Sequence, residues 1–160
     1  MQLFPTKNYT IELKDSPEKS IELLKLNTML SDSLSTQTTD KKFIGRINGN
    51  RFEIISSEIG IGAFTVLRGN FSDDSVTLVA EVNKPFKILI SILSILALGG
   101  ISYNAFKIGF PGGFGMLVPL LMFLGLLRFV FLGSFFERSF RLVFGKFTGL
   151  LQVKPTQIKA

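Results

Sequence analysis

The alternation of apolar and polar positions divides the chain into an early half of short periodic segments and a later half of long apolar runs. Residues 9–14 alternate Tyr9, Ile11 and Leu13 with polar positions, which predicts a strand. Ser16 is expected to cap a following helix, with Pro17 at its first position. The apolar face of that helix is predicted to continue to residue 30.

Four strand-like runs come after a polar, Ser/Thr-rich segment, residues 31–42, which is interpreted as a flexible linker. The dipeptide Asn48-Gly49 predicts a type I′ hairpin between the first two runs. Alternation assigns these residues to two faces: Phe43, Ile47, Phe52 and Ile54 inward, and Arg46, Arg51 and Glu53 outward. A second turn at residues 72–74 completes an antiparallel meander, which ends where Pro85 is expected to open a helix.

Two apolar runs dominate the later half of the chain. Residues 88–106 and 108–127 contain no charged side chain, and each run has about the 20 residues that a membrane-spanning helix needs. We therefore predict a transmembrane hairpin with spans at about 86–106 and 114–134 and a turn at 107–113 that uses Pro111, Gly112 and Gly113. Arg128 is expected to extend toward the lipid headgroups, with a functional intramembrane charge as the alternative.

The formal net charge of +6 arises entirely in this later half. Eleven basic residues balance eleven acidic ones up to residue 87, whereas seven basic residues accompany only Glu137 afterwards. Because positive charge in short flanking segments favours the cytoplasmic side, both termini are predicted to be cytoplasmic. The predicted location is the bacterial cytoplasmic membrane, with the chain as an integral protein.

Residues 136–160 form a basic tail whose predicted helix is amphipathic. Its apolar stripe comprises Phe136, Phe140, Val143, Phe144, Phe147, Leu150 and Leu151. We expect this helix to lie on anionic headgroups of a lipid bilayer. The alternatives are that the stripe packs on the protein's own sheet or extends the second span. The candidate contacts to lipid phosphate are Arg128, Arg138, Arg141 and Lys146.

The predicted fold class is therefore α+β. A small cytoplasmic domain, residues 1–85, contains a strand, a helix and a four-stranded antiparallel meander. A two-helix transmembrane hairpin, residues 86–135, and the basic amphipathic tail, residues 136–160, follow it.

The composition restricts the chemistry that the chain can perform. Cysteine and histidine are both absent, which excludes a thiolate nucleophile, cysteine or histidine metal ligands and a histidine general base. The acidic pair Asp73-Asp74 lies in a predicted turn, and no spacing unites it with other carboxylates. No catalytic residue, cofactor site or metal site is predicted. The neutral first half has no basic patch interleaved with aromatic residues, so no nucleic-acid partner is expected.

The order of these segments is similar to that of small bacterial two-span membrane proteins of unknown function with a cytoplasmic β-meander domain. The residues that carry this resemblance are Phe43, Gly45, Gly49, Asn50, Phe52, Gly69 and Lys84-Pro85-Phe86. The resemblance covers about residues 43–133. It implies the meander and the two spans, and it implies no activity and no site residues.

The function expected from these features is that of a non-catalytic accessory or regulatory subunit of the membrane, whose cytoplasmic domain binds a protein partner. Ile59 and Ile61 lie in a glycine-rich loop, residues 56–64, which is the candidate contact for that partner. One alternative is a membrane enzyme or binder that acts on lipid phosphate groups. A second is an immunity protein against a membrane-active toxin. Homo-oligomerisation is compatible with each hypothesis.

Overall fold

A computed structural model of the chain describes residues 4–108, 119 and 121–153. The elements in chain order are β1 (Thr6–Glu12), α1 (Pro17–Leu26), β2 (Thr28–Leu30), β3 (Phe43–Asn48), β4 (Arg51–Ser56), β5 (Thr65–Phe71), β6 (Ser75–Val82), α2 (Lys84–Ile108), a π-helical segment (Leu126–Leu132) and α3 (Gly133–Leu151). The chain divides into two compact units. One consists of Met1–Asn83 with Phe136–Ala160, and the other of Lys84–Phe135.

The first unit is built on a six-stranded sheet with the strand order β1-β6-β5-β4-β3-β2. The predicted antiparallel meander, β3 to β6, is confirmed. Strand β1 extends it by pairing antiparallel with β6, and β2 extends the opposite side by pairing parallel with β3. Both outer strands therefore come from the segment before residue 31, and α1 connects one edge of the sheet to the other.

Local capping signals position α1 as predicted. Ser16 is the N-cap and its hydroxyl accepts a hydrogen bond from the Lys19 N–H at 3.5 Å, and Pro17 is the first helical residue. The helix ends at Leu26 rather than at residue 30. The next residues instead pair with β3, where Thr28 lies opposite Phe43. The predicted extension of the helix is thus wrong.

The hairpin between β3 and β4 is confirmed, but its turn is shifted by one residue. Asn48 pairs with Arg51, so the two turn residues are Gly49 and Asn50. Gly49 has φ = 56°, while Asn50 is not among the residues with positive φ. A type I′ turn requires positive φ at both positions, and a type II′ turn requires it only at the first. The predicted turn type is therefore wrong, because Gly49 occupies the first turn position.

The two faces of the sheet differ in burial. The inner face is apolar and lies under α3, where Tyr9 stacks on Phe140 at a centroid distance of 5.3 Å and Phe52 stacks on Phe147 at 5.3 Å. The outer face is mostly exposed, and its buried apolar residues lie at one end: Ile44, Ile55 and Val66. The predicted assignment of the β3 and β4 side chains to two faces is confirmed.

The segment 31–42, predicted to be a flexible linker, has no regular secondary structure but makes several hydrogen bonds. The Arg46 guanidinium donates to the Asp32 carbonyl at 2.8 Å, and the Asn83 side-chain amide donates to the Leu34 carbonyl at 2.9 Å. The Ser57 hydroxyl donates to the Lys41 carbonyl at 2.6 Å. These bonds connect the segment to both ends of the meander.

The predicted transmembrane hairpin is contradicted. Within the described residues, none of the helices combines the length and the apolar character that crossing a membrane requires. Helix α2 contains Ser91, Ser94 and Ser102 within its apolar sequence. In the second predicted span, the π-helical segment carries Arg128 and leads directly into α3, whose apolar face packs on the sheet. The predicted integral membrane location depended on this hairpin and is corrected with it. Of the predicted turn at 107–113, residues 109–113 lie outside the described residues.

Candidate interaction surfaces

The predicted contact loop between β4 and β5 is held in shape by its own backbone. The Gly62 N–H donates to the Glu58 carbonyl at 3.2 Å, and the Phe64 N–H donates to the Ile61 carbonyl at 3.1 Å. Gly60 adopts φ = 97°, and a Cβ atom at Gly62 would lie 2.2 Å from the Glu58 carbonyl oxygen. Both glycines are thus required by the loop conformation.

Two side chains of α3 fix the same loop from the inner side. The Ser139 hydroxyl donates to the Ile61 carbonyl at 2.7 Å and accepts from the Thr65 N–H at 3.1 Å. The Lys146 ammonium lies 3.1 Å from a Glu58 carboxylate oxygen and donates to the Ser56 hydroxyl at 3.0 Å. The loop is therefore connected at both of its ends to one helix.

The two isoleucines of this loop have different environments. Ile59 is 74% exposed, although it is a large apolar residue. Ile61 is half-buried and supplies the carbonyl that Ser139 binds. Of the two predicted contact residues, only Ile59 is thus presented to solvent by a fixed backbone.

The apolar stripe of the tail is buried against the protein's own sheet. Phe136, Phe140, Val143, Phe147 and Leu151 are all at most 5% exposed. Tyr9 of β1 contacts two of the rings of α3, Phe140 and Phe144. Packing on the sheet, one of the alternatives for this stripe, is the arrangement observed.

The four candidate phosphate-binding residues have different environments in the described contacts. Lys146 contacts the loop, and Arg141 lies 3.0 Å from the carboxylate of Glu137. Arg138 is exposed on α3. Arg128 belongs to the π-helical segment of the second unit. Two of the four cations are therefore already bound to acidic side chains.

Glu137 connects α3 to β1 as well as to its own helix. Its carboxylate binds the Lys7 ammonium and the Arg141 guanidinium. The hydrogen bond from Lys7, followed by that from Arg141, lowers the pKa of Glu137 below its ordinary value, against a smaller opposing effect of burial. Lys7 also lies over the Phe140 ring, 4.6 Å from its centroid. This is a structural ion-pair cluster that positions the start of α3.

The outer face of the sheet carries a charged row, of which sequence alternation had assigned only Glu53 to this face. Arg68 of β5 binds the carboxylates of Glu53 and Glu81 on the two neighbouring strands. Burial alone would lower the pKa of Arg68, but hydrogen bonds and charge attraction from the two glutamates raise it. The carboxylates of Glu53 and Glu81 are thus bound to one arginine. The signal that the sequence lacked was the strand register.

Helix α2 exposes apolar side chains over much of its surface. Ile88, Leu89, Ile92, Leu93, Ile95, Leu96 and Leu98 are each between 44% and 67% exposed. At 100° per residue, these positions cover more than half of the helix circumference. The polar residues Lys84, Lys87, Ser91, Ser94 and Ser102 share one narrow side of α2, so most of the circumference of the helix is apolar.

The described residues offer little basis for a catalytic or metal centre. Among them, no group of three or more acidic side chains is placed to hold a metal ion, and Asp73 and Asp74 are exposed in the β5–β6 turn. Comparison of the chain with models of protein families, with curated proteins and with solved structures finds no match. A function must therefore be argued from the surfaces of the chain itself.

Proposed function

We propose that this protein is a non-catalytic interaction protein, an accessory or regulatory subunit that binds a partner protein through the apolar surface of α2. The observation that carries the proposal is the exposure of seven large apolar side chains along one helix. Contiguous apolar surface of this kind typically marks an interaction site in a folded protein. A helix that is apolar on most sides requires a covering environment.

The distribution of the exposed residues indicates how a partner would cover α2. Ile88, Ile92 and Leu96 follow one another at four-residue spacing, and Leu89 and Leu93 repeat the same spacing one position later. These rows form the ridges that pack into grooves of a neighbouring helix. The partner is therefore expected to present an apolar helical surface to α2.

The fixed loop between β4 and β5 is a separate candidate contact for a partner protein, in the first unit. Ile59 is exposed at the loop tip, and the backbone around it is fixed by Ser139 and Lys146. A pre-organised loop loses little conformational freedom on binding. We expect Ile59 to contribute less than α2, since it is one side chain rather than a surface.

The alternative functions receive less support from the described contacts. Binding of lipid phosphate by the tail would need several free cations, and two of its three candidates, Arg141 and Lys146, are bound to acidic side chains. The third, Arg138, is exposed. The described surfaces contain no feature that favours an immunity function over other protein-binding functions. Protein binding is thus the function that the geometry supports best.

The proposal can be tested with the full-length tagged protein, extracted from its native source in a mild detergent. Leu96 is 65% exposed, so Leu96→Asn should leave the sheet unit folded and reduce the yield of a stoichiometric partner protein at least tenfold. Thr77→Asn on the exposed outer face is the matched control and should leave the yield unchanged. Recovery of lipid alone, or equal recovery from both variants, would contradict the proposed function.

A further inference from the structure

One edge of the sheet is incomplete where β3 extends past its neighbour. Strand β2 ends at Leu30, which lies opposite Gly45, whereas β3 continues to Asn48. The last backbone hydrogen bond on this side runs from the Ser31 N–H to the Gly45 carbonyl at 2.9 Å. Beyond Gly45, the side of β3 away from β4 therefore has no neighbouring strand among the described residues.

The hydrogen-bond pattern shows which backbone groups face this gap. The Ser57 N–H donates to the Lys42 carbonyl, so Lys42 and every second residue after it point toward β4. The residues between them point the other way, as Gly45 does when it binds Ser31. By the same alternation, the N–H and C=O of Ile47 point into the position that a further strand would occupy.

A cavity of about 320 Å³ lies at this position. Leu30, Ser31 and Asp32 line one side of it, and residues 45–48 of β3 line the other. Leu30 is 66% exposed and shares the inner face with Ile47. The gap thus combines backbone groups that have no partner strand among the described residues with an apolar side chain at one end.

Positive charge borders the same gap on the outer face. A second cavity, of about 430 Å³, shares Arg46 and Asn48 with the first and is also lined by Arg51 and Arg68. Arg68 is bound to Glu53 and Glu81. Arg46 donates a hydrogen bond to the Asp32 carbonyl at 2.8 Å and lies 3.9 Å from the carboxylate of Asp32, which is fully exposed. Arg51 has no acidic partner among the described contacts.

We propose that an extended segment of a partner protein adds to the sheet beside β3 and pairs with the backbone of Ile47. Alternate side chains of such a segment lie on opposite faces. The one beside Ile47 would be apolar and contact Leu30, and its neighbour would be acidic and reach Arg46 and Arg51. This inference rests on the sheet edge and is independent of the covering of α2.

The test measures amide hydrogen exchange of the full-length protein with two synthetic nonapeptides, one of alternating glutamate and valine and one of alternating lysine and valine. The glutamate peptide at saturation should slow exchange of the Ile47 amide at least tenfold. The amides of Asn8 and Thr10, on the opposite edge strand, should be unchanged and serve as an internal control. Unchanged exchange at Ile47, or equal slowing by the lysine peptide, would overturn the proposal.

A second copy of this chain could also occupy the gap, and the same measurement distinguishes it. Exchange at Ile47 that slows with rising protein concentration, without any peptide, would show self-pairing and would overturn the assignment to a partner segment. The proposal predicts no dependence on protein concentration.

Charge-reversal variants test the acidic position of the peptide. Arg46→Glu and Arg51→Glu should each weaken binding of the glutamate peptide about tenfold. Lys14→Glu changes the net charge equally at an exposed position just after β1 and should alter binding less than about twofold. An equal loss in all three variants would show that only the overall charge matters and would overturn the proposal.

Discussion

At the residue scale, the packing of α3 on the sheet depends on Phe52. Its ring stacks on Phe147 and contacts Phe71 at a centroid distance of 5.2 Å. The ring also lies over Gly69 of the neighbouring strand, where an added Cβ atom would be 2.3 Å from the Phe52 Cζ atom. Gly69 thus creates the space that allows an aromatic residue to bridge β4, β5 and α3.

Gly69→Ala is expected to destabilise the protein by about 1–3 kcal/mol, because the Phe52 ring must move out of its contact with Phe147. The matched control is Gly145→Ala in α3, where an added Cβ atom meets nothing within 4 Å. That change should stabilise the helix by up to about 1 kcal/mol. Denaturant unfolding followed by circular dichroism would measure both. Equal stability of the two variants would contradict this packing.

Glu137 makes a prediction about pH. Its pKa is lowered below 4.5 in the folded protein by Lys7 and Arg141, so folding favours the ionised carboxylate. Its contribution to stability is therefore present above pH 4.5 and is lost as the pH falls through the folded pKa. Glu137→Gln should flatten the fall in the unfolding midpoint below that pH, whereas Glu22→Gln, at an exposed position in α1, should not. Parallel pH profiles for the wild type and Glu137→Gln would refute the assignment.

At the element scale, α3 is attached to the loop between β4 and β5 by the hydrogen bonds of Ser139. Ser139 is fully buried and its hydroxyl serves one carbonyl and one N–H of that region. Ser139→Ala would leave both backbone groups without this partner, at a cost of about 1–3 kcal/mol. We expect faster hydrogen exchange at the Thr65 amide and a weaker contribution of Ile59 to partner binding.

The control for this change is Ser134→Ala, because Ser134 is exposed in the first turn of α3. Its effect should stay within about 0.5 kcal/mol, as for most surface substitutions. If exchange at Thr65 is the same in both variants, Ser139 does not fix the loop.

The elements that could be predicted from the sequence were those with local signals. Ser16 and Pro17 marked the start of α1, and the alternation in β3 and β4 assigned their side chains to the correct faces. Strand β2 could not be predicted, since Met29 and Leu30 continue the apolar spacing of α1 and their pairing with β3 is non-local. A short apolar segment next to a helix cannot be assigned by periodicity alone.

At the scale of the whole molecule, the prediction of two membrane spans in the later half of the chain is wrong. Apolar runs of about 20 residues suggested a membrane hairpin, which the described helices do not support. The stripe of α3 proved to cover the sheet, a contact between residues more than 70 positions apart, such as Ser139 with Thr65. For the candidate contact loop, the sequence showed that Ile59 and Ile61 are apolar residues in a glycine-rich segment. It did not show that Ile59 is exposed and Ile61 half-buried, because that difference depends on the backbone conformation of the loop.

The central claim is that a partner protein covers α2, and photo-crosslinking in the native cells tests it without detergent. A photoreactive amino acid would replace Leu96 of α2 in one variant and Thr77 of β6 in the other, both of which are exposed. We predict one discrete protein adduct at Leu96, heavier than the chain by the mass of a different protein, and none at Thr77. Adducts to lipid alone at Leu96, or an adduct of twice the mass of the chain, would contradict the claim.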